Sequence, residues 1–572
     1  MKNQEVTKIL SEIALYLEMK DIPFKPRAYD KAAHSVEALE EDIAGIYKKG
    51  GTRALEEIPG VGKGIAEKIE EFLKTGKIKS YEKLRKEIPV DIEGLIAIEG
   101  MGPKKVKVLY QKLNIQNVAD LEKAAKAGKI RNLEGFGEKS EENILKGIEF
   151  LKLGGGRFLL GDILPIIRDI ETRLSKLKEV EKIAVAGSIR RWQETIGDGD
   201  FQIVSRNPEK VMDFFVSFPG VIHVYGKGKT KSSVKLKNGM DLDLRVVREE
   251  SFGSAMQYFT GDKYHNIHLR QIAIKKGYKL NEYGVFRGKK QIVGKIEEEV
   301  YKVLGLDWMP PEIRENTGEI AAAQKHQLPK LIKYGELKGD LQIQTNWTDG
   351  ANSIEEMARE AQKLGLEYIA ITDHTKTLAM TGGLDEKKLL GQMSYIDNLN
   401  KKSKSRKFKI LKGAEVNILK NGSLDIKDEI LAKLDVVGAS VHSHFNLSKE
   451  EMTQRIILAM ENPNVDIIFH PTGRIINRRK AYELDIDEII KVAKKTGTLL
   501  EINAYPDRLD LKDEYVRKCV EAGVKMAIDS DAHSVLHIKY LEYGIAQARR
   551  GWAEKKDIVN AWPLEKMLSY LK

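Results

Sequence analysis

The segment "GDGDFQIVS" places Asp198 and Asp200 two residues apart at the head of a strand-like run. Side chains at i and i+2 share one face of a strand, so the two carboxylates converge. Acids that close are electrostatically costly unless a divalent cation lies between them. A third acid on a neighbouring strand would complete a two-metal clamp, and "GMDLDLRVV" offers Asp241 and Asp243. Upstream, "IAVAGS" reads as a buried strand running into a Gly-Ser turn, with Arg190 and Arg191 just beyond it. Ser188 and Arg191 are suited to bind a triphosphate while the carboxylates hold Mg²⁺. Most Asp-x-Asp pairs are solvated strand ends; the Gly-Ser turn upstream is what separates this one from them.

A second set of ligand types lies further along. The runs "LEYIAIT", "FKILKGAEV", "LDVVGASVH", "VDIIFHP", "TLLEINA" and "VKMAIDSDAH" alternate with helical patterns. At the strand ends stand Asp373 and His374, Glu415, His442, His470, and Asp531 with His533. One histidine is more often a satisfied polar group than a ligand, but five strand ends bearing His, Asp or Glu are not accidental. Neutral imidazoles and carboxylates suit Zn²⁺ or Mn²⁺ with a bridging hydroxide as nucleophile. Repeated strand–helix units predict a TIM-like barrel of about seven strands, with its chemistry at the C-terminal strand ends. The first strand, "GDLQIQTNWTDG", is discordant, because Gln342 and Gln344 stand where a metal site would place two alternating histidines.

The first quarter repeats one design three times, in "LEEIPGVGKGIAEKI", "LIAIEGMGPKKVKVL" and "IRNLEGFGEKSEENIL". Each joins an apolar helix end to a Gly-x-Gly hairpin and a second helix. Glycine allows the tight turn, and backbone N–H groups at a helix N-terminus attract a phosphate. Such contacts grip the DNA backbone without reading bases. Gly60, Gly62, Gly100 and Gly102 are the expected DNA-contacting glycines; Glu134 and Glu138 mark the third hairpin as structural. Lys68 lies one turn into the second helix of the first hairpin, beside Ile65, Ala66 and Ile69. It reads either as a solvated helix lysine or as an amine of lowered pKa that attacks a sugar aldehyde. "FKPRAYDKAAHSVEAL" clusters Lys25, Arg27, Tyr29 and Lys31 as candidates to hold a 5′-phosphate.

At 572 residues the chain calls for three or four domains. The formal charge of +11 favours a polyanionic partner but is modest for this length. The single Cys519 excludes a disulfide framework or a thiolate-rich zinc site. No run of about 18 apolar residues occurs and the N-terminus reads as an amphipathic helix, so a cytoplasmic protein with no membrane partner is expected.

"YFTG", followed by an Asn and then an Arg four residues on, resembles the nucleotide-binding segment of family X DNA polymerases. The resemblance covers about residues 1–315, including the order of a small lyase-like domain and a hairpin-bearing fingers region. It implies Asp198, Asp200 and Asp243 as metal ligands, Ser188 and Arg191 beside the incoming triphosphate, Tyr258 and Phe259 at the sugar, and Gly197 and Gly261 among the substrate-binding residues. Asn266 would meet the base edge, Arg270 the template side, and Lys25, Tyr29 and Lys68 the 5′-phosphate and Schiff-base positions. Gly64 departs from a slot that often holds a second lysine, and Lys263 from one where an acid is seen. Residues 336–572 are similar to the PHP (polymerase and histidinol phosphatase) domain, whose first motif reads Asp-Leu-His-x-His where this chain has Asp340, Leu341, Gln342, Ile343 and Gln344. Seven ligands remain: Asp349, His374, Glu415, His442, His470, Asp531 and His533. The resemblance implies Zn²⁺ or Mn²⁺ there at reduced occupancy, with Glu415, His374 and Asp531 still holding one ion and the exonuclease weakened or lost.

The expected architecture is therefore multidomain α/β. A DNA-binding, lyase-like unit (1–80) and helix-hairpin-helix fingers (81–150) precede an α+β nucleotidyltransferase palm (151–230). Palm end and thumb (231–315), a linker (316–335) and a distorted (β/α) PHP barrel (336–572) follow. Function is expected to be template-directed gap filling on gapped or nicked DNA by a monomer using deoxynucleoside triphosphates and Mg²⁺, or Mn²⁺ in its place. The rival reading is a metal-dependent DNA end-processing hydrolase positioned by the first half; a non-catalytic scaffold is opposed by the intact Asp198, Asp200 and Asp243 set.

Overall fold

The computed structural model describes residues 2–571 except 38, 40, 59, 97, 99, 100, 153–156, 379–380 and 404–407. Gly100 therefore lies outside the described residues. The N-terminal region is helical, and its buried apolar residues, from Val6 to Ile148, form one core of their own. In the first hairpin, helix Ile43–Glu56 is followed by Lys63–Thr75, with Gly62 at the second helix's N-terminal cap. Gly60 takes φ +86°, and a Cβ there would lie 2.9 Å from Lys31 Cγ, so glycine is required on both counts. In the second hairpin, Gly102 caps helix Pro103–Leu113, and Pro103 supplies the fixed φ favoured in a first helical turn.

Beyond it, β1 (Phe158–Leu159) pairs with β3 (Thr195–Ile196). A five-stranded sheet runs in the order β2 (Val180–Val185), β4 (Asp198–Ser205), β7 (Asp241–Val246), β6 (Lys231–Leu236), β5 (Val221–Lys227). Within it β4 and β7 are parallel, in a register that sets Asp198 opposite Asp241 and Asp200 opposite Asp243. Phe201, Ile203, Leu242 and Leu244 bury the other face of this pair against helix Leu160–Ser175 and Phe215. A smaller unit follows, with the antiparallel strands β8 (Lys279–Asn281), β9 (Gly284–Arg287) and β10 (Lys290–Val293). Its core extends into helix Glu319–Gln324 through Ile320 and Ala323. Leu331, further along, joins Ile313 and Trp552, so the stretch expected to be a linker is packed at both ends.

The last region is a seven-stranded parallel sheet. Its strands are β11 (Gly339–Ile343), β12 (Tyr368–Ile371), β13 (Lys409–Asn417), β14 (Val436–Ser440), β15 (Ile467–Ile468), β16 (Leu499–Asn503) and β17 (Met526–Asp529), in sequence order. Ile343 bridges Ala532 just past β17, and Leu341 N–H donates to Asp529 Oδ1 at 2.8 Å, so the sheet is nearly closed into the expected barrel. Its strands are buried on both faces, as parallel strands covered by helices must be. The barrel packs directly on the five-stranded sheet. Leu509 and Tyr543 enter that sheet's core, and a Cβ on Gly161 would overlap the Pro506 ring. Arg168 forms two 2.9 Å bonds with Glu542. Among the described residues no helix is long and apolar enough to cross a membrane.

Candidate functional site

Two clusters qualify as reactive centres. The first opens at the head of β4 as a cleft of about 460 Å³. The Gly187–Ser188 turn, Gly197, Asp198 and Asp200 form one wall; Tyr258, Phe259, Gly261, Asn266 and Arg270 form the other. Burial, then the Asp198 and Asp243 charges, push the Asp200 carboxyl up to about 7. Burial and Asp243 raise Asp198 as well. Neither Asp198 nor Asp200 has an ion-pair partner among the described residues. Crowded hard oxygens that make no direct ion pair are the donor set a Mg²⁺-like cation takes. Gly187, at φ +64°, permits this crowding, since a Cβ there would lie 2.6 Å from Asp200 Oδ2.

Of the two acids on β7, Asp241 accepts from Tyr225 Oη at 3.1 Å and pairs with Lys235 at 2.9 Å. Asp243, beside Asp200, accepts from Ser233 Oγ at 2.5 Å and pairs with Lys231 at 2.6 Å. Arg191 reaches the cleft with its Nε on Glu315 at 2.9 Å and its Nη1 on the Thr260 carbonyl. Neighbouring Arg190 turns away, into a buried pair with Glu297 at 2.9 and 2.8 Å. Arg314 donates to the same Glu297 at 2.6 Å. Burial alone would raise the Glu297 carboxyl, but Arg314 and Arg190 hold it well below the usual range.

Asn266 is expected at a base edge. Its Nδ2 donates to the Tyr258 carbonyl at 2.7 Å and its Oδ1 accepts from Gln257 at 2.5 Å. It thus ties the next helix to the end of helix Phe252–Thr260 that carries Tyr258 and Phe259, whose rings meet edge to face at 5.0 Å. Arg270 Nε donates to the Asn266 carbonyl at 3.2 Å, and Arg245 stacks on Phe259 at 4.6 Å. Asp262 was missed by sequence reasoning. It caps the helix Lys263–Lys275, and burial lifts its carboxyl to about 6; its place before a helix was the available signal.

The second centre lies at the C-terminal ends of the barrel strands. Ligand atoms of Asp349, His374 and His533 lie within 4.8 Å of one another, and so do those of His374, Glu415 and His442. His374 belongs to both groups. His470 Nε2 stands 3.0 Å from Glu415 Oε1. Asp531 falls outside both groups but adjoins the first: its Oδ2 accepts from Asn503 at 3.2 Å and faces Arg508 at 3.4 Å, while its Oδ1 lies 3.8 Å from His533 Nδ1. The expected trio of Glu415, His374 and Asp531 is not one of these two groups; in the second, His442 stands with Glu415 and His374. The turn after β17, where Asp531 takes φ +52°, sets its carboxylate against the Arg508 guanidinium.

Gln342 and Gln344 are fully buried and donate to Glu415 Oε2 at 3.2 and 2.7 Å. Ser440 donates to Oε1 at 2.8 Å, where His442 also stands at 3.0 Å. Glu415 thus has its lone pairs filled by protein donors. The group of Asp349, His374 and His533 is free of the glutamines, and its donor set fits one Zn²⁺ or Mn²⁺ ion. In the other group a cation must compete with two amide donors. Asp373 serves structure instead, accepting from Thr345, Thr348 and Gln392 at 2.6–2.7 Å. Asn417, which accepts or orients His442 Nδ1 at 2.8 Å, had no sequence signal beyond its place at the end of β13.

In the N-terminal region Lys68 is half-buried and its Nζ donates to the Gly64 carbonyl of its own helix at 3.1 Å. Lys25 is exposed, whereas Tyr29 packs in the helical core. No hydrogen bond or ion pair joins Lys68 to either among the described residues. Gly62 and Gly102 face open space. At the third hairpin, Glu141 accepts from the Ile130 and Arg131 N–H groups at 2.9 and 3.0 Å and pairs with the Arg131 side chain at 2.6 Å. That buried carboxylate ties the segment before the third hairpin to its second helix.

Family models match four segments: a helix-hairpin-helix domain over residues 1–78, a SAM-like helix-hairpin-helix tandem over 92–149, a DNA polymerase beta thumb over 255–315 and a PHP domain over 340–505. The chain is 40% identical over 580 residues, covering all of both proteins, to the DNA polymerase/3′-5′ exonuclease PolX of Bacillus subtilis (strain 168). It is 35% identical over 232 residues, 39% of this chain and 88% of the relative, to a probable phosphatase of Thermoanaerobacter sp. (strain X514). A probable phosphatase of Acetivibrio thermocellus is 33% identical over 190 residues, 32% of this chain and 73% of the relative.

Proposed function

The chain belongs to the family X DNA polymerases that carry a C-terminal PHP domain, and from that premise we propose that it fills short gaps in DNA while its barrel retains at most a weakened 3′-5′ exonuclease. The observation that carries the first part is the parallel register of β4 and β7, which brings Asp200 and Asp243 side by side next to Asp198. Asp198, Asp200 and Asp243 would hold Mg²⁺, for which Mn²⁺ can substitute; when bound it neutralises the triphosphate and acidifies the primer 3′-hydroxyl. Asp243, beside Asp200, accepts the proton of that hydroxyl. Ser188 and the free edge of Arg191 bind the triphosphate oxygens. Tyr258 and Phe259, fixed by Asn266, pack on the sugar, and Gly197 and Gly261 leave room for it. Arg270 faces the template strand.

Gly60, Gly62, Gly100 and Gly102 contact the DNA backbone on either side of the gap, with Lys25 at the 5′-phosphate. Lys68 is the amine that would form a Schiff base with a deoxyribose phosphate, by resemblance to the family, and Tyr29 joins Lys25 in the 5′-phosphate set. The protein acts as a monomer in the cytoplasm, on gapped or nicked DNA and deoxynucleoside triphosphates.

In the barrel, Asp349, His374 and His533 would hold one Zn²⁺ or Mn²⁺ ion. Glu415, His442 and His470 would hold a second at reduced occupancy, because the Gln342 and Gln344 amides occupy Glu415. Asp531 orients the site through Arg508 and Asn503. The intact first group favours a second reading, in which the barrel still trims DNA ends positioned by the polymerase half. Extension across a one-nucleotide gap tests the main reading. Asp200→Ala is expected to abolish extension while gapped-DNA affinity stays near that of the parent; residual extension by this variant would refute the assignment.

A further inference from the structure

The barrel does more than lie against the polymerase half: its helix Leu541–Arg550 encloses the loop that carries Arg191. Arg550 Nη1 donates to the Arg191 carbonyl at 3.1 Å and to Glu315 Oε1 at 3.3 Å. Its Nη2 is anchored in the barrel by Asp513 at 2.5 Å. Glu315 Oε1 is the same oxygen that accepts from Arg191 Nε at 2.9 Å, and it also accepts from Gln193 at 2.5 Å. One carboxylate oxygen thus links a barrel arginine to the cleft arginine. The rest of the loop is held in the same way. Glu194 accepts from Arg474 at 2.5 and 3.1 Å and from Gln547 at 2.8 Å. Trp192, at φ +53°, stacks on Tyr334 at 5.6 Å and meets Tyr543 edge to face at 5.7 Å.

These contacts are charge-assisted and withdrawn from water, where they hold geometry best. Arg550 and Glu315 side chains are only 6% and 24% exposed. Arg191 is left with Nε and Nη1 engaged and Nη2 without a partner among the described residues, at the wall of the cleft. We propose that the barrel is a working part of the nucleotide site, with Arg550 acting through Glu315 as a positioning residue that presents Arg191 to the triphosphate. This rests on the reading of Arg191 as a triphosphate contact. An arginine already held in its binding geometry loses less freedom when the nucleotide arrives, so the expected effect is on nucleotide affinity.

The test is steady-state extension of a one-nucleotide gap by the full-length protein, with KM for the nucleotide, kcat, gapped-DNA affinity and melting temperature measured for each variant. Glu315→Ala and Arg550→Met are each expected to raise the nucleotide KM about tenfold. Gapped-DNA affinity and kcat should change less. Glu315→Gln, which keeps an acceptor for Arg191 Nε, should recover most of the loss, a rescue that a merely structural role would not produce. The double variant should fall well short of the product of the two single effects, because both changes cut the same Glu315 relay and differ only in the direct bond from Arg550 to the Arg191 carbonyl. Should Arg550→Met melt below the assay temperature, Arg550→Lys carries the same prediction, since an ammonium cannot span Arg191, Glu315 and Asp513 together. A parental nucleotide KM in Glu315→Ala, or effects that multiply in the double variant, would overturn the proposal. Arg191→Ala separates the two layers: a parental KM there removes the reading of Arg191, whereas a raised KM with Glu315→Ala unaffected removes the relay alone.

Discussion

Both ligand clusters gather acids on adjacent parallel strands, at the heads of β4 and β7 in one case and together with histidines at the C-terminal strand ends of the barrel in the other, and they differ in what answers their charge. On the five-stranded sheet, Asp198 and Asp200 share one strand face with no ion-pair partner among the described residues, and desolvation together with the neighbouring carboxylates pushes their carboxyl groups upward. In the barrel, Glu415 is held well below the usual range: burial opposes this, but His374, His442 and His470 outweigh it. Gln342 and Gln344 add two further donors to that carboxylate. The first cluster is incomplete without a cation, whereas much of the second is already satisfied by protein. The same residue types therefore describe a site that demands metal and one that can fold stably without it.

The comparison can be broken at its strongest point first. Asp243→Ala should lower kcat for extension by roughly 10³-fold or more, with gapped-DNA binding retained; a loss below about tenfold in single-turnover extension would remove Asp243 from the site. Next is the buried Arg190–Glu297–Arg314 cluster behind the cleft. Glu297→Gln leaves the buried Arg314 short of charge and should cost about 3–5 kcal/mol in denaturant unfolding. Glu297 is depressed below its ordinary 4.5 in the folded state. Its stabilisation is therefore complete above pH ~4.5 and is lost as pH falls through the folded value. The gap between parent and variant should be constant near neutrality and close in acid; a gap that widened in acid would contradict the ion-pair account.

A smaller effect sharpens the barrel side. Restoring imidazoles with Gln342→His and Gln344→His together should raise Mn²⁺-dependent shortening of single-stranded DNA about 10- to 100-fold. Unchanged shortening in a variant that binds additional Mn²⁺ by calorimetry would mean the glutamines are not what limits the site. The smallest expected change is at the second hairpin. A Cβ at Gly102 meets nothing within 4 Å in the protein, so Gly102→Val should leave melting unaltered. It should weaken gapped-DNA binding about three- to tenfold by obstructing a phosphate.

Much of this arrangement could be read from local spacing. The i, i+2 pair at Asp198 and Asp200, the ligand-bearing strand ends and the Gly-x-Gly hairpins are short-range signals, because strand period and turn chemistry fix them within a few residues. What could not be read depends on partners far apart in the chain. Glu315 and Arg550 are ordinary charged residues until the fold brings them to Arg191. Arg190 and Arg191 are adjacent, yet one is consumed by Glu297 and the other faces the cleft. Asp531 sits at a strand end like His374 and His442, but its Oδ2 faces Arg508, a contact that strand-end spacing does not signal. The stretch 316–335 looked like a connector because it is rich in turn residues. Its apolar positions Ile320, Ala323 and Leu331 nonetheless find separate cores.

The most direct test assays both centres on one preparation, in parallel reactions. The purified full-length protein is given Mn²⁺ and a 5′-labelled single strand without nucleotides, beside a gapped primer with nucleotides, with His374→Ala in parallel because His374 serves both barrel ligand groups. Efficient gap extension with the single strand left at full length, or shortened only slowly, is the predicted result. A rapid shortening ladder that disappears in His374→Ala would show a fully working nuclease despite Gln342 and Gln344, and would contradict the contrast drawn between the two sites.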